Sequence, residues 1–344
     1  MKPTTQYYKP LQIGTIKLEG NLILAPMAGY TDRAFRQIAM DKGANLAYAE
    51  MSSCEALWRG EKEKTQQIMA PYPGEKHLVL QIFSGNLEAV QSSMEHVIAF
   101  KPSIVDLNIG CPVQKVNKSG AGSALLQRPQ ELKAILSFMR QSIPKNIAVT
   151  AKFRSGWNQE SLNYLEIAEL ALAAGCNMIT LHPRTRAQGY SGEANWEYLK
   201  KLKETFPEAV ICASGDLHSP EQIRDMFEQT NVDAAMIARG SIGHPTIFQE
   251  TRDLLEHGSY KALDPHQNMY IAYQHYLLSL EYLGERYTIN EIKKHLAQYA
   301  RGTALLAHYR KLLVLAQTKL EIDTLFQELL SEISENIPRA CTKD

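Results

Sequence analysis

The 344-residue sequence predicts an α/β fold, a (β/α)8 TIM barrel with a C-terminal all-helical domain, and three observations carry that expectation. Eight apolar runs of strand length recur at a regular pitch, at residues 22–25, 46–49, 78–83, 104–107, 148–153, 178–181, 210–213 and 234–238. Stretches of helical period lie between most of them, at 33–42, 87–100, 131–141, 162–174, 196–204 and 221–229, and supply the crossovers that parallel strands require. After about His257 the strand runs stop, and from 265 to 337 apolar-periodic sequence continues, interrupted only by Gly284, Gly302 and Pro338. Eight strand-helix units match the roughly 250 residues of a closed barrel, whereas a doubly wound sheet usually has fewer strands. The expected division is a barrel over residues 1–258 and a helical domain over 259–344.

Composition sets outer limits. With 44% apolar and 22% charged residues, the chain has material for a large core and is not disordered, collagenous or disulfide-stapled. The stretch from Met1 to Pro10 lacks an apolar signal core, and no apolar run approaches the roughly 18 residues of a membrane helix, so neither export nor membrane insertion is expected. Cys54, Cys111, Cys176, Cys212 and Cys341 are odd in number and lack C-x-x-C spacing, which argues against a disulfide framework or a zinc site. A reducing cytoplasm is the simplest compartment, and no obligate protein partner is indicated.

The 37 basic and 37 acidic side chains balance, but not locally. From Arg286 to Lys319 there are seven basic residues (Arg286, Lys293, Lys294, Arg301, Arg310, Lys311, Lys319) against Glu291 alone. This is either a solvated helix face or a patch for a polyanion. Tyr287, Tyr299 and Tyr309 interleave with these cations, which suits RNA and equally suits packing.

Barrel enzymes place reactive groups at the C-terminal ends of their strands. Here those ends are polar: Pro26-Met27-Ala28-Gly29 after the first run, Glu50 after the second and Gln81 within the third. The fourth run leads into Asn108-Ile109-Gly110-Cys111-Pro112, the fifth carries Lys152 and Arg154, and the sixth ends in His182-Pro183-Arg184. Ser214-Gly215-Asp216 and Ala238-Arg239-Gly240 follow the last two. A lone buried lysine or histidine is usually structural, but groups that converge from different strands on one rim favour a site. The last two turns are where barrels often bind phosphate, and Arg239 beside glycine N–H groups suits that task. Gly215 alone would be explained as well by a tight turn. Gly120-Ala121-Gly122 begins a dinucleotide fingerprint that Leu125 breaks, so it reads as a flexible loop. A nucleotide-hydrolysing phosphate loop and an H-E-x-x-H zinc motif are both missing.

Taken in order, these motifs resemble the tRNA-dihydrouridine synthases over nearly the whole chain. The resemblance rests on Leu24-Ala25-Pro26-Met27-Ala28-Gly29-Tyr30-Thr31-Asp32, Asp106-Leu107-Asn108-Ile109-Gly110-Cys111-Pro112 and Lys152-Phe153-Arg154. It rests also on His182-Pro183-Arg184-Thr185-Arg186 with Tyr190-Ser191-Gly192, and on the Ser214-Gly215-Asp216 and Ala238-Arg239-Gly240 turns. Gly243-His244-Pro245-Thr246-Ile247-Phe248 and Lys293-Lys294-His295 bring it nearest the B-type members. Two departures are Ser84, where many members have glycine, and Ser214, where B-type members usually carry asparagine.

The resemblance implies an FMN enzyme that reduces the C5–C6 double bond of particular uridines in tRNA, with NADPH as reductant. Hydride delivered to C6 needs a proton donor at C5, and Cys111 is the expected donor, because a thiol of pKa near ~8.5 is protonated at neutral pH. Outside that motif a cysteine would be read as a small buried hydrophobe. Lys152, His182 and Gln81 are expected beside the flavin, with Pro26, Met27 and Ala28 against its ring. A satisfied core histidine is the alternative for His182. Ser214, Gly215, Asp216, Ala238 and Arg239 are expected around the phosphate arm, and Asn108 and Arg154 at the uracil edge. Lys115 and Lys118, in a mobile loop beside Cys111, and Lys294, Arg301 and Arg310 of the helical domain are expected to meet RNA phosphates. The alternatives are an FMN barrel acting on a free pyrimidine, like a dihydroorotate dehydrogenase, and a non-catalytic RNA-binding protein. The first has no use for the basic segment, and the second none for a flavin.

Overall fold

All eight apolar runs become strands of one closed barrel. The computed structural model describes residues 7–60 and 62–336, the side chains of 62–64 and 336 excepted, so Cys341 and Pro338 lie outside the described residues. A short hairpin, β1 (Leu11–Ile13) and β2 (Ile16–Leu18), comes first. The barrel follows as β3 (Leu22–Leu24), β4 (Leu46–Ser53), β5 (Val79–Phe83), β6 (Ile104–Ile109), β7 (Ala148–Arg154), β8 (Met178–His182), β9 (Ile211–Ala213) and β10 (Ala234–Ile237). Neighbours in sequence are neighbours in space, all parallel, and β10 pairs with β3 to close the ring.

Each barrel strand is buried on both faces, which is why it reads as a continuous apolar run. Alternate side chains sort into two cores. Leu22, Leu80, Leu107, Val149, Ile179, Ile211 and Ile237 face outward against the helix ring. Ile23, Tyr48, Val79, Ile104, Ala148, Met178, Cys212 and Met236 face inward, where they pack with Leu11, Ile13, Ile16 and Leu18 of the hairpin. The hairpin lies at the N-terminal ends of the strands: Thr15 Oγ1 donates to Asn146 O, and Gly14 approaches Ala148, the first residue of β7. It therefore plugs the bottom of the barrel.

The six expected crossover helices are present, at Arg33–Asp41, Leu87–Ala99, Pro129–Ser142, Tyr164–Ala173, Glu197–Thr205 and Pro220–Thr230. Asp32, Asn86 and Ser219 cap three of them by accepting backbone N–H bonds, as short polar side chains do at a helix start. Cys54–Trp58 and Lys62–Met69 span the remaining crossover, from β4 to β5, and Ile247–His257 follows β10 as the last helix of the ring. Among the described residues no helix is long and apolar enough to cross a membrane.

The chain divides into two compact units. The first holds the described residues through Ser241 together with Ile247–Tyr260, and the second holds Ile242–Thr246 and the described residues from Lys261 onward. Ile242–Thr246 belongs to the second because Gly243 lies against Gln298, where a Cβ would come within 2.5 Å of backbone, and accepts a bond from Asn268. That unit consists of helices Pro265–Leu283, Glu285–Glu291, Lys293–Tyr299, Ala304–Leu315 and Lys319–Asn336. Tyr276 stacks on Phe326 in its core, with Leu296, Leu306, Leu313 and Leu329 also buried. Tyr299 and Tyr309 are core residues too, 1% and 4% exposed, so packing is their role, whereas Arg286, Arg301, Arg310 and Lys311 are exposed.

Candidate active site

The inward alternation that fills the bottom of the barrel with apolar groups brings polar ones to its upper layers. Asp106 of β6 is fully buried; its Oδ1 accepts from Thr150 Oγ1 at 2.6 Å and its Oδ2 from Gln81 Nε2 at 2.7 Å. Gln81 Oε1 in turn accepts from Asn108 Nδ2 at 2.8 Å. Asn108 Oδ1 then receives the backbone N–H groups of Gly110 and Cys111, at 3.1 and 2.9 Å. The amide thus shapes the turn that ends β6, in the manner of an Asx turn. Burial pushes the Asp106 carboxyl up to about 6, against the opposing bonds from Thr150 and Gln81 and the charge of Lys152.

Cys111 follows that turn and is half-exposed. Burial raises its thiol above the usual cysteine value, outweighing the Val113 N–H and the positive charges of Arg154 and Lys152. The thiol is therefore protonated at neutral pH. Ser123 N donates to Cys111 O from the start of a 3-10 turn, Gly122–Gln127. The Gly120-Ala121-Gly122 stretch is thus an ordered support of the cysteine instead of the flexible loop its glycines suggest. Lys115 and Lys118 likewise sit on a short helix, Gln114–Lys118, not in a loop, and both are exposed.

Cations converge on the same mouth. Burial and the neighbouring Arg154 lower the Lys152 ammonium to about 8, while Asp106 pulls the other way. Arg154 uses three of the five donors of a guanidinium on backbone, Gly110 O on one side and Thr185 O and Gly189 O on the other. It thereby clips the cysteine turn to the loop after β8. His182 is held well below its ordinary value by burial and by Lys152, Arg154, Arg184 and Arg239, so its ring is neutral.

Beside His182, at the ends of β8, β9 and β10, lies a cavity of about 490 Å³ lined by Arg184, Tyr190, Ala194, Trp196, His218 and Arg239 among others. Gly215 has φ +111°, and a Cβ there would lie 2.9 Å from His182 and 3.1 Å from Ala194, so this close-packed turn requires glycine. The sequence expects Asp216 beside a phosphate arm. In the structure its carboxylate makes a two-pronged pair with Arg184, at 2.8 and 2.7 Å, accepts from Ala194 N, and lies 3.6 Å from Arg239. Burial works to raise this carboxyl, but the bonds from Arg184 and Ala194 prevail and hold it below the usual range. The carboxylate, an acceptor held anionic, aims the two arginines, so a part for Asp216 beside a phosphate falls to its backbone.

Most expected site residues of the first unit thus gather at one end of the barrel. Met27 is half-buried at the end of β3, where Thr31 bonds its backbone, with Pro26 and Ala28 on either side. Ser214 is buried, and Ala238 is half-buried beside exposed Arg239. Lys294, Arg301 and Arg310 belong to the second unit; Lys294 pairs with Glu291. The motifs include Tyr190 but give it no role; it is 59% exposed and has the Arg239 and Arg154 guanidinium carbons 4.5 and 5.5 Å from its ring centroid. Asp106, named in a motif, is likewise given no role, and Thr150, inside an apolar run, goes unread.

A parallel eight-stranded barrel with a thiol, a neutral histidine and several cations at its C-terminal mouth defines an enzyme of the (β/α)8 class. The chain matches the family Dihydrouridine synthase (Dus) over residues 23–337. It is 37% identical over 302 residues to the probable tRNA-dihydrouridine synthase of Treponema pallidum (strain Nichols), covering 86% of this chain and 88% of that one. It is likewise 37% identical over 301 residues to tRNA-dihydrouridine synthase B of Vibrio cholerae serotype O1, covering 86% and 92%. Among solved structures, a 2-naphthoyl-CoA reductase in complex with 2-naphthoyl-CoA shares the fold, with TM-score 0.56 at 13% identity, over 72% of this chain and 52% of that chain. The chain belongs to the dihydrouridine synthase family and is of B type.

Proposed function

We propose that this protein reduces specific uridines of tRNA to 5,6-dihydrouridine, with FMN as its cofactor and NADPH as reductant. The observation that carries the reading is the convergence of Cys111, Lys152, Arg154, His182 and Arg239 on one mouth, in a chain of this family. The cradle suits FMN: a cavity stands open at the ends of β8, β9 and β10, Arg239 offers it a half-exposed charge, and Asp216 orients the cations that line it. When bound, FMN supplies the hydride that adds to uracil C6.

The chain's own residues do the rest. Lys152 and neutral His182 flank the flavin, with Gln81 offering its remaining N–H and lone pair. Pro26, Met27 and Ala28 pack against its ring, and Ser214, Gly215, Asp216 through its backbone, Ala238 and Arg239 enclose the phosphate arm. Cys111 gives its thiol proton to C5 as hydride arrives at C6, and the thiolate regains a proton from solvent. The cations beside it stabilise the negative charge that develops on the uracil carbonyl in the transition state. Asn108 and Arg154 hold the turn that presents the thiol and border the uracil edge.

A stacked uridine must be splayed out to reach this mouth, at a cost of a few kcal/mol, so the RNA needs a grip elsewhere. We assign it to Lys115 and Lys118 in the catalytic part, residues 1–258, and to Lys294, Arg301 and Arg310 in a tRNA-binding part, residues 259–344. Affinity then falls steeply as salt rises. The test is to supply FMN-loaded protein with NADPH and tRNA lacking dihydrouridine, and to map the product. Dihydrouridine at defined positions is expected. Reduction of free uracil or orotate with tRNA untouched would refute the reading.

A further inference from the structure

We propose that Asp106 is a positioning residue: through Gln81 and Asn108 it sets the direction of a hydrogen-bond relay that holds the Cys111 turn in its reactive geometry. This rests on the reading of Cys111 as the proton donor. The relay is determined from both ends. The N–H groups of Gly110 and Cys111 can only donate, so the Asn108 atom facing them is Oδ1. Asn108 therefore turns Nδ2 toward Gln81, whose facing atom is Oε1. Gln81 then points Nε2 inward, and the relay is complete only if residue 106 accepts there, as the Asp106 carboxylate does at 2.7 Å.

An apolar group at 106 would strand the buried Gln81 amide. Were that amide to turn over, its N–H groups would oppose those of Asn108, which would have to turn in its own right and release the Gly110 and Cys111 N–H groups. Asp106 is fully buried below this layer and touches no substrate, so its effect on the chemistry runs through the relay. Thr150 binds the other carboxylate oxygen and stands outside the line to Cys111.

The relay is tested by Asp106→Leu, Asp106→Asn and Thr150→Val in full-length, FMN-loaded protein. The readouts are the iodoacetamide alkylation rate of Cys111, followed by peptide mass spectrometry, and single-turnover dihydrouridine formation. Asp106→Leu should change the alkylation rate about tenfold and slow product formation about tenfold with tRNA KM unchanged, the scale of one stranded buried amide. Asp106→Asn can offer its carbonyl to Gln81 and its amide to Thr150, whose hydroxyl then turns toward Tyr48, so both rates should stay within about twofold of wild type. Thr150→Val should lower thermal stability yet leave both rates within about twofold, because the arm it removes costs stability alone.

Wild-type alkylation in Asp106→Leu would overturn the proposal. So would rates in Thr150→Val disturbed as much as in Asp106→Leu, the mark of general loosening. If Asp106→Leu is not recovered folded, the other two variants still decide, since a large rate change in either contradicts the relay. An alkylation pattern as expected, with no dihydrouridine made even by wild type, would support the relay and overturn the proposed reaction instead.

Discussion

The guanidinium carbon of Arg239 lies 4.5 Å from the centre of the Tyr190 ring, while its Nη2 is 3.6 Å from Asp216 Oδ1. An aromatic face and a nearby carboxylate thus hold a side chain that is 45% exposed. Neither consumes its hydrogen-bonding donors as a direct two-pronged pair would.

On the proposed reading that charge is kept for a phosphate. Arg239→Ala should weaken FMN binding about 10- to 100-fold, the worth of one hydrogen bond to a charged group, and leave riboflavin, which has no phosphate, bound as before. Titrations by flavin fluorescence separate the two. Equal weakening for both ligands would place Arg239 elsewhere in the site.

Cys111→Ala removes the proposed proton and little else, because the relay bonds the residue's backbone and not its sulfur. Dihydrouridine formation in a single turnover should fall about 10²- to 10⁴-fold, the range for one general acid. FMN and tRNA affinities should stay unchanged. An unchanged rate would remove the thiol from the mechanism.

The buried carboxyl of Asp106 sets a pH trend in stability with a definite sign. Burial raises its pKa from 3.8 to about 6, so between those values the folded protein binds more protons than the unfolded chain. The contribution of this group is fully present below pH 3.8 and is lost as pH rises through 6. Asp106→Asn cannot ionise and lacks this loss. Urea unfolding should therefore show the variant gaining on wild type as pH increases over that interval, and a constant difference between them would contradict the assignment.

Arg36 and Glu75 form a buried ion pair, 2.8 Å apart, whose guanidinium also bonds Ala70 O. Removing one partner leaves the other charged and unmatched in the core. Glu75→Ala should cost about 3–5 kcal/mol in urea unfolding, and replacing both partners with well-packed apolar residues should recover much of the loss. A loss below about 1 kcal/mol, the scale of a surface pair, would mean that water reaches the arginine.

The barrel was legible because parallel strands buried on both faces leave uninterrupted apolar runs, and the polar residue ending each run marks the mouth. The hairpin at 11–18 escaped notice because its strands, Leu11-Gln12-Ile13 and Ile16-Lys17-Leu18, alternate too briefly to show a period and form no apolar run. The pairing of Asp106 with Thr150 was hidden for another reason: a polar side chain inside an apolar run has no visible partner until the register shows the two facing each other across β6 and β7. Asp216 was read by position alone, and only the fold reveals that Arg184, 32 residues earlier, claims its carboxylate. Gly120 and Gly122 looked like slack, yet Gly122 lets a 3-10 turn close against the cysteine backbone and Gly120 lies against Arg128.

With Leu11, Ile13, Ile16 and Leu18 stoppering its lower end, the barrel is a cul-de-sac. On the proposed reaction, whatever restores the electrons and whatever RNA removes them must share a single doorway.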